Sequence, residues 1–470
     1  MVRVWILCVA AIAAALLAAV PAQAFTRSEQ TLTAGDGVPL AATLFVPDGQ
    51  PPAGGWPAVV YMHGLGGTRA DASAIAQLMG VVGEEYVVLA FDARGHGASG
   101  GLVGIDGPAE VADVATVYGW LRDRADVADD RIGAWGISYG GGAAWGSLAA
   151  GVPWAAIEPV ETWVDLRTAL APQDLLKSGV ASGFVTSLPP TRVQPEVFTI
   201  LNAALAGRID EIVGWAVARS SVQALKGATT PVFLMQGRRD FAFGIDQATR
   251  AWAALAGPKR LWIGNHGHPP STFPAADTAA MLAEGKQWFD RFLRGVPNGI
   301  DTAKPVVIAA SGSARVTRLD ALPRTTRIRV PLKGSATIGQ RGKVVRRGAP
   351  TTTPLEVFGA PTVTVPIRAA GGWSRLVAVL TARTAAGQEI VVAGGGVPTA
   401  PGQRAVTIRM VDQATFVPKG SRLTLTLASS SLAQNPGNLL YLDLPMAASA
   451  RVTIGTATLT LPVLTRPVSR

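Results

Sequence analysis

Gly136-Ile137-Ser138-Tyr139-Gly140-Gly141 is the stretch around which the chain is organised. The apolar Arg131–Gly136 segment before it reads as a buried strand, and the Ala/Gly-rich Gly141–Ala150 segment after it as a helix. Ser138 therefore falls on a strand-to-helix corner, the context a nucleophile elbow requires. Flanking glycines leave room where strand and helix converge, and a serine on so tight a turn carries an unfavourable backbone angle. With 53 glycines in 470 residues, the pentapeptide is unspecific alone. Its meaning depends on a base, an acid and an oxyanion hole elsewhere.

Working outward, the neighbouring segments alternate strand and helix. Upstream, Pro57–Met62 is a continuous apolar run ending at His63-Gly64-Leu65-Gly66-Gly67, and Tyr86–Phe91 runs into Asp92-Ala93-Arg94-Gly95-His96-Gly97-Ala98-Ser99. Helical spacing covers 69–80, and Pro108–Arg124 is an amphipathic helix with proline at its start and Val111, Val114, Val117, Trp120 and Leu121 on one stripe. Two short strands within 28–46 precede these. Downstream come a strand at Trp154–Pro159, strands at Pro231–Gln236 and Arg260–Ile263, and helices at about 245–255 and 275–293. This rhythm predicts a mostly parallel sheet covered on both faces. It breaks at 162–224, where helical patches and Ser187-Leu188-Pro189-Pro190 read as a helical cap over the sheet's carboxyl edge; the plainer reading is ordinary helices on the sheet face. Beyond 300, short runs of alternating Thr, Val and Leu between glycine turns predict an antiparallel sandwich, a jelly roll. The expected organisation is a leader at 1–24, an α/β domain at 25–299 and an all-β domain at 300–470.

Met1-Val2-Arg3, the apolar run to Val20 and Pro21-Ala22-Gln23-Ala24 have the charged start, apolar middle and small-residue exit of a secretory signal peptide. A secreted protein with no stable membrane insertion after cleavage is expected; a membrane anchor is the rival reading. Cys8, the only cysteine, would leave with the leader, excluding disulfides and thiol chemistry from the mature chain. Charge is split: residues 301–470 carry 21 Lys/Arg against 6 Asp/Glu, net +15, leaving −5 for the rest of a +10 chain. The basic half reads either as a polyanion- or cell-surface-binding region or as a solvated arginine-rich surface. No aromatic-interleaved basic cluster appears, so no nucleic-acid partner is expected.

A serine hydroxyl needs a base within hydrogen-bond reach, and that base needs an orienting partner. The four histidines, His63, His96, His266 and His268, all lie at or just after the carboxyl ends of predicted strands, the ligand-binding edge of an open α/β sheet. His268 is the expected base. Asp240, after the strand 231–236, is the expected acid, because Ser…Asp…His is the chain order of the α/β-hydrolase triad. Asp165 is the reserve acid, and His266 the alternative base or a neighbouring polar contact. The Tyr139 and Leu65 amides are the expected oxyanion donors. His63, Asp92, Arg94 and His96 read as structural loop residues. No metal or organic cofactor is needed.

Strand-His63-Gly64, Asp92-x-Arg94-Gly95-x-Gly97-x-Ser99, Gly136-x-Ser138-Tyr139-Gly140-Gly141, Gln236-Gly237-x-x-Asp240, the His268 loop and Phe416-x-x-Lys419-Gly420-x-Arg422-Leu423 together resemble the X-Pro dipeptidyl-peptidase and cocaine-esterase-like serine hydrolases. The resemblance implies an α/β-hydrolase catalytic domain, a helical cap and a carboxyl-terminal jelly roll, in esterases, amidases or dipeptidases. A dipeptidase must anchor its substrate's ammonium. Glu158, Glu161, Asp165 and His266 are the candidate pocket residues, but no acidic pair stands out in the short cap. The expected activity is hydrolysis of small acyl esters through an acyl-enzyme, with X-Pro peptide cleavage second. From another class stands a catalytically idle scaffold that binds carbohydrate or a surface.

Overall fold

Phe25–Thr33 (β1) and Pro39–Pro47 (β2) pair as an antiparallel hairpin, and β2 lies antiparallel to the first strand of a parallel core. The core strands are Trp56–Met62 (β3), Val87–Phe91 (β4), Val127–Ile137 (β5), Ala156–Val160 (β6), Val232–Gly237 (β7) and Lys259–Gly264 (β8). β3, β4, β6 and β7 are buried at every residue, as strands covered on both faces must be. Arg69–Leu78 (α1), Pro108–Arg122 (α2), Tyr139–Ala149 (α3), Ile245–Ala254 and Thr278–Leu293 supply that cover. The computed structural model describes residues 25–83, 85–431, 440–466 and 468. The expected signal peptide and Cys8 lie outside the described residues.

The boundary expected at 300 is corrected by the sheet itself. Val306–Ala309 (β9) adds parallel to β8, and Val316–Leu319 (β10) adds antiparallel to β9. The order is β1-β2-β4-β3-β5-β6-β7-β8-β9-β10, so this domain reaches Leu319. Val306–Ala309 is fully buried against Leu261–Ile263, and that apolar run outweighs the change in charge that suggested the earlier limit.

Residues 162–224 form the cap, with helices Leu166–Leu170 (α4), Ser178–Thr186 (α5), Pro195–Leu205 (α6) and Val213–Val217 (α7). They stand over the carboxyl edge, since α4 to α7 enclose a cleft floored by Ser138 and Tyr139.

The remaining chain is a two-sheet antiparallel sandwich. Lys343–Pro350, Arg422–Ala428, Arg375–Arg383 and Glu389–Pro398 make one sheet. The other is built of four long lines, each broken once: 405–409 with 413–417, 355–359 with 362–370, 451–454 with 457–464, and 325–332 with 336–339. Arg451–Ile454 and Ala457–Leu464 are separate strands, interrupted at Gly455-Thr456. Inward residues such as Val363, Ile408, Leu425 and Leu459 form a core separate from the two that flank the first sheet.

The domains meet through a buried ion pair, Arg238 with Glu356; Arg238 also donates to the Ala309 carbonyl at 2.5 Å. Removing one member leaves the other charged and unpaired in a dry interface, at a cost of about 3–5 kcal/mol. Glu356→Ala should therefore lower unfolding free energy by about 3 kcal/mol or more in denaturant titration, and Arg238→Met/Glu356→Leu should recover much of the loss. A loss below about 1 kcal/mol in the single variant would show that the pair is solvated.

Candidate active site

Ser138 ends β5 and caps α3 with φ 54° and ψ −112°, a region L-residues rarely occupy. Close packing forces the corner: a Cβ on Gly136 would run into the Gly140 carbonyl, and one on Gly141 would lie 2.7 Å from the Thr162 Cβ. Two hydrogen bonds hold the strained residue, from the Ser138 amide to the Val160 carbonyl (2.8 Å) and from the Thr162 hydroxyl to the Ser138 carbonyl (2.7 Å).

The Ser138 Oγ lies 2.8 Å from His268 Nε2, and His268 Nδ1 lies 2.7 Å from Asp240 Oδ2. Asp240 follows β7 and is fully buried; its Oδ1 accepts the Ala242 and Phe243 amides at 2.9 Å each, and Oδ2 also accepts the His268 amide at 3.2 Å. Burial alone would raise the Asp240 pKa, but His268 and these amides outweigh it and hold the carboxyl below its ordinary value. Burial likewise depresses the His268 pKa, and Asp240, then Glu161, more than offset this, so the imidazole titrates above its ordinary 6.5. In neutral His268 the Nδ1–H donates to Asp240, leaving Nε2 to accept the serine proton.

Leu65 and Tyr139 flank Ser138 in the cleft, and Gly64 packs against the Ser138 Cβ. The loop after β3 is fixed by His63, whose Nδ1 faces the Gly64 carbonyl at 2.8 Å and whose Nε2 accepts the Ala93 amide at 3.0 Å. Burial drives the His96 pKa down to about 4. Asp92 accepts the Arg69 and Ala98 amides at 2.6 and 2.8 Å, and Arg94 grips Asp113 with two 2.6 Å bonds. These residues build the loop.

None of the four expected pocket residues lines the cleft. Asp165 caps α4, accepting the Thr168 amide at 3.2 Å. Glu158 points into the core on the far side of the sheet, near Met79, Met235 and Gly285, with neither oxygen hydrogen-bonded among the described residues. Its position near the carboxyl end of a strand suggested the site, but alternation along β6 turns it away. Burial raises its pKa well above the carboxylate range. Glu161 and His266 bond to each other behind the triad, and Glu161 places a carboxylate oxygen within 4.8 Å of the facing Asp240 and His268 atoms.

Sequence reasoning missed Lys177. This fully buried cap residue donates through Nζ to the Phe241 carbonyl (3.0 Å) and to the Ala242 carbonyl, gripping the loop that carries Asp240; burial pushes its ammonium down to about 8. A lysine between apolar helical patches has no signal in one sequence. The sandwich grips the same loop: Gln413 Nε2 donates to the Asp240 carbonyl at 2.8 Å, and the Ala414 amide to the Arg238 carbonyl at 2.7 Å.

Trp163, Leu170, Phe184, Ile200, Trp215 and Phe243 characterise the cleft; among the described residues Arg167 is the one charged lining residue, and its Nη2 donates to Asp174 at 2.6 Å.

Residues 36–195, which include Ser138, match the family model described as X-Pro dipeptidyl-peptidase (S15 family). A segment of 112 residues, 23% of the chain, is 31% identical to an uncharacterized 31.7 kDa protein from the traX-finO intergenic region of Escherichia coli, and it spans only 37% of that relative's length. Solved structures of similar fold include a CocE/NonD family hydrolase from Staphylococcus aureus, with TM-score 0.72, 14% identity and 94% of each chain covered. An α-amino acid ester hydrolase gives TM-score 0.66 and 15% identity, covering 96% of this chain and 99% of its own. An aminopeptidase from a marine sediment Thaumarchaeota archaeon gives 0.65 and 14%, with the same coverage. The resemblance read from the motifs is thereby borne out. The fold is that of these hydrolases, an α/β-hydrolase domain with a carboxyl-terminal β-sandwich, and the segment that carries Ser138 is similar to the S15 peptidases.

Two outcomes follow. The acid limb of the kcat/KM profile should lie above pH 6.5, because protonated His268 cannot accept the serine proton. Asp240→Asn should cut kcat by about 10⁴ and move the limb to lower pH, with Glu161→Gln moving it the same way by less; an unmoved limb in both would detach them from the base. Glu158 favours folding only while protonated, so its contribution is intact below the unfolded pKa near 4.5 and is lost as pH rises toward its raised folded value. Glu158→Gln is neutral throughout, and its Tm relative to the parent should rise from pH 5 to pH 8 with activity unchanged.

Proposed function

We propose that this chain is a secreted serine hydrolase that cleaves esters of apolar carboxylic acids. Ser138 Oγ attacks the acyl carbon as His268 Nε2 takes its proton; Asp240 orients the imidazole and stabilises the imidazolium. The Tyr139 and Leu65 amides hold the oxyanion. Collapse of the tetrahedral intermediate expels the alcohol, protonated by His268, and water attacks the acyl-enzyme under the same base to release the acid. No step requires a metal or cofactor.

The observation that carries the ester reading is the lining of the cleft. Apart from Arg167 it is apolar from Ser138 upward, and among the described residues no carboxylate lines it to hold a substrate ammonium. Apolar burial contributes about 0.8 kcal/mol per methylene, close to a fourfold gain in kcat/KM for each methylene the cleft takes in. The S15 family description supports X-Pro peptide cleavage as the second reading.

A fluorophosphonate probe should label the protein purified without residues 1–24 and fail on Ser138→Ala; labelling that survives the substitution would remove Ser138 as nucleophile. With p-nitrophenyl esters, kcat/KM should climb about three- to fourfold per methylene from acetate to hexanoate and exceed that for X-Pro anilides. A flat series with faster X-Pro turnover would favour the peptidase. Export of a reporter fused to residues 1–30, with cleavage after Ala24, tests secretion.

A further inference from the structure

The outward face of the larger sandwich sheet repeats two chemistries. Arg409, Thr362, Thr460 and Arg329 stand in one line across four neighbouring strands, each in direct register with the next. One step along, Thr407, Thr364 and Thr458 form a second line, the first two joined hydroxyl to hydroxyl at 3.0 Å. Farther along, Arg368 faces Thr453, which bonds Thr337 at 2.8 Å, and Arg451 stands opposite Ala370. Alternation puts all of these outward, because the residues between them, such as Val363, Ile408 and Leu459, fill the core. With strands about 4.8 Å apart, the line of four spans roughly 15 Å.

The face is charged without compensation. Of its arginines only Arg409 reaches a carboxylate, Asp412; Arg327, Arg329, Arg368 and Arg451 have no carboxylate partner among the described residues. Intrachain ion pairing thus does not explain them. The remainder of the same face, at Glu356 and Phe358, docks on the hydrolase domain, so the free part is held rigidly beside it.

We propose that this arginine-threonine face binds an acidic polysaccharide. Guanidinium forks match carboxylate or sulfate oxygens two at a time, and threonine hydroxyls both donate to and accept from sugar hydroxyls. Aromatic rings, on which unpaired bases would stack, are missing from the lines described, and their exposed apolar residues are small, Pro331, Pro366, Ala370 and Ala405, without the large side chains that would enter a membrane. The lines supply a flat, repeated array, suited to a polymer whose charges recur along one direction. The anionic group can be carboxylate or sulfate, which two probes separate.

The experiment immobilises polygalacturonate (carboxylate) and heparin (carboxylate and sulfate) and passes over them the chain without residues 1–24. At least one polymer should retain it at 50 mM salt, with affinity at least tenfold weaker at 300 mM. Arg329→Glu/Arg368→Glu/Arg451→Glu should lose binding tenfold or more, and the milder Arg329→Gln/Arg368→Gln/Arg451→Gln should fall between. Turnover of p-nitrophenyl butyrate should stay within twofold in both, which certifies their fold. No retention of the parent on either polymer, unweakened binding by the glutamate variant, or tighter binding to duplex DNA than to both polysaccharides would overturn the proposal.

Discussion

The structure turns on a serine held where serine does not want to be. Ser138 at φ 54° costs about 1–3 kcal/mol, and the turn persists only because strand β5 and helix α3 are each buried and converge at glycines. The penalty positions the hydroxyl at the cleft floor, where His268 Nε2 meets it. A relaxed turn would keep the serine and lose the coincidence. Neighbours reinforce the corner: β6 supplies the Val160 carbonyl, and the residue two beyond it supplies the Thr162 hydroxyl.

The other half of the site is not on the elbow's strand, so its alignment depends on how the Asp240 loop is held. Three bodies hold it. The parallel sheet sets the end of β7; the cap inserts the buried ammonium of Lys177 against the Phe241 and Ala242 carbonyls; the sandwich donates from Gln413 and Ala414. Within the loop so held, the Ala242 and Phe243 amides both donate to the Asp240 carboxylate. The second domain thereby helps to fix the loop that carries Asp240. This also explains why a buried Arg238–Glu356 pair sits two residues from the acid: a directional polar contact fixes register where an apolar one could slide.

Legibility in the sequence followed the range of the interaction. Strand β3, the elbow and the His268 loop were readable because apolar runs, glycines and the order of three side chains are local or ordinal signals. Positions set by side-chain direction were not. Glu158 and Glu161 are three residues apart at the carboxyl end of one strand, yet one points into the far core and the other reaches Asp240 and His268. Nothing in the residue types separates them; β6 alternation and the positive φ of Glu161 do. Lys177 was invisible because its partners are backbone carbonyls more than sixty residues away. The boundary near 300 shows two signals in conflict, with the buried run at Val306–Ala309 overriding a change in surface charge.

That surface charge asks a question of its own. A carboxyl-terminal segment at net +15 beside a remainder at −5 could neutralise itself across the domain interface, but among the described residues that interface uses one buried ion pair, hydrogen bonds to backbone carbonyls and apolar contacts instead. The cationic side chains are displayed on strands whose inward faces already supply the packing, so their charge adds self-repulsion without adding core. Solubility alone would be served by charges of either sign scattered at random. Threonines in register on the central strands with arginines along their margins are a more particular arrangement, and they sit on the part of the sheet that the hydrolase domain leaves uncovered. A domain that steadies the acid loop with one area and presents an ordered cationic array with another would hold an ester-cleaving site close to a polymer surface, raising the local concentration of any acyl group attached to it.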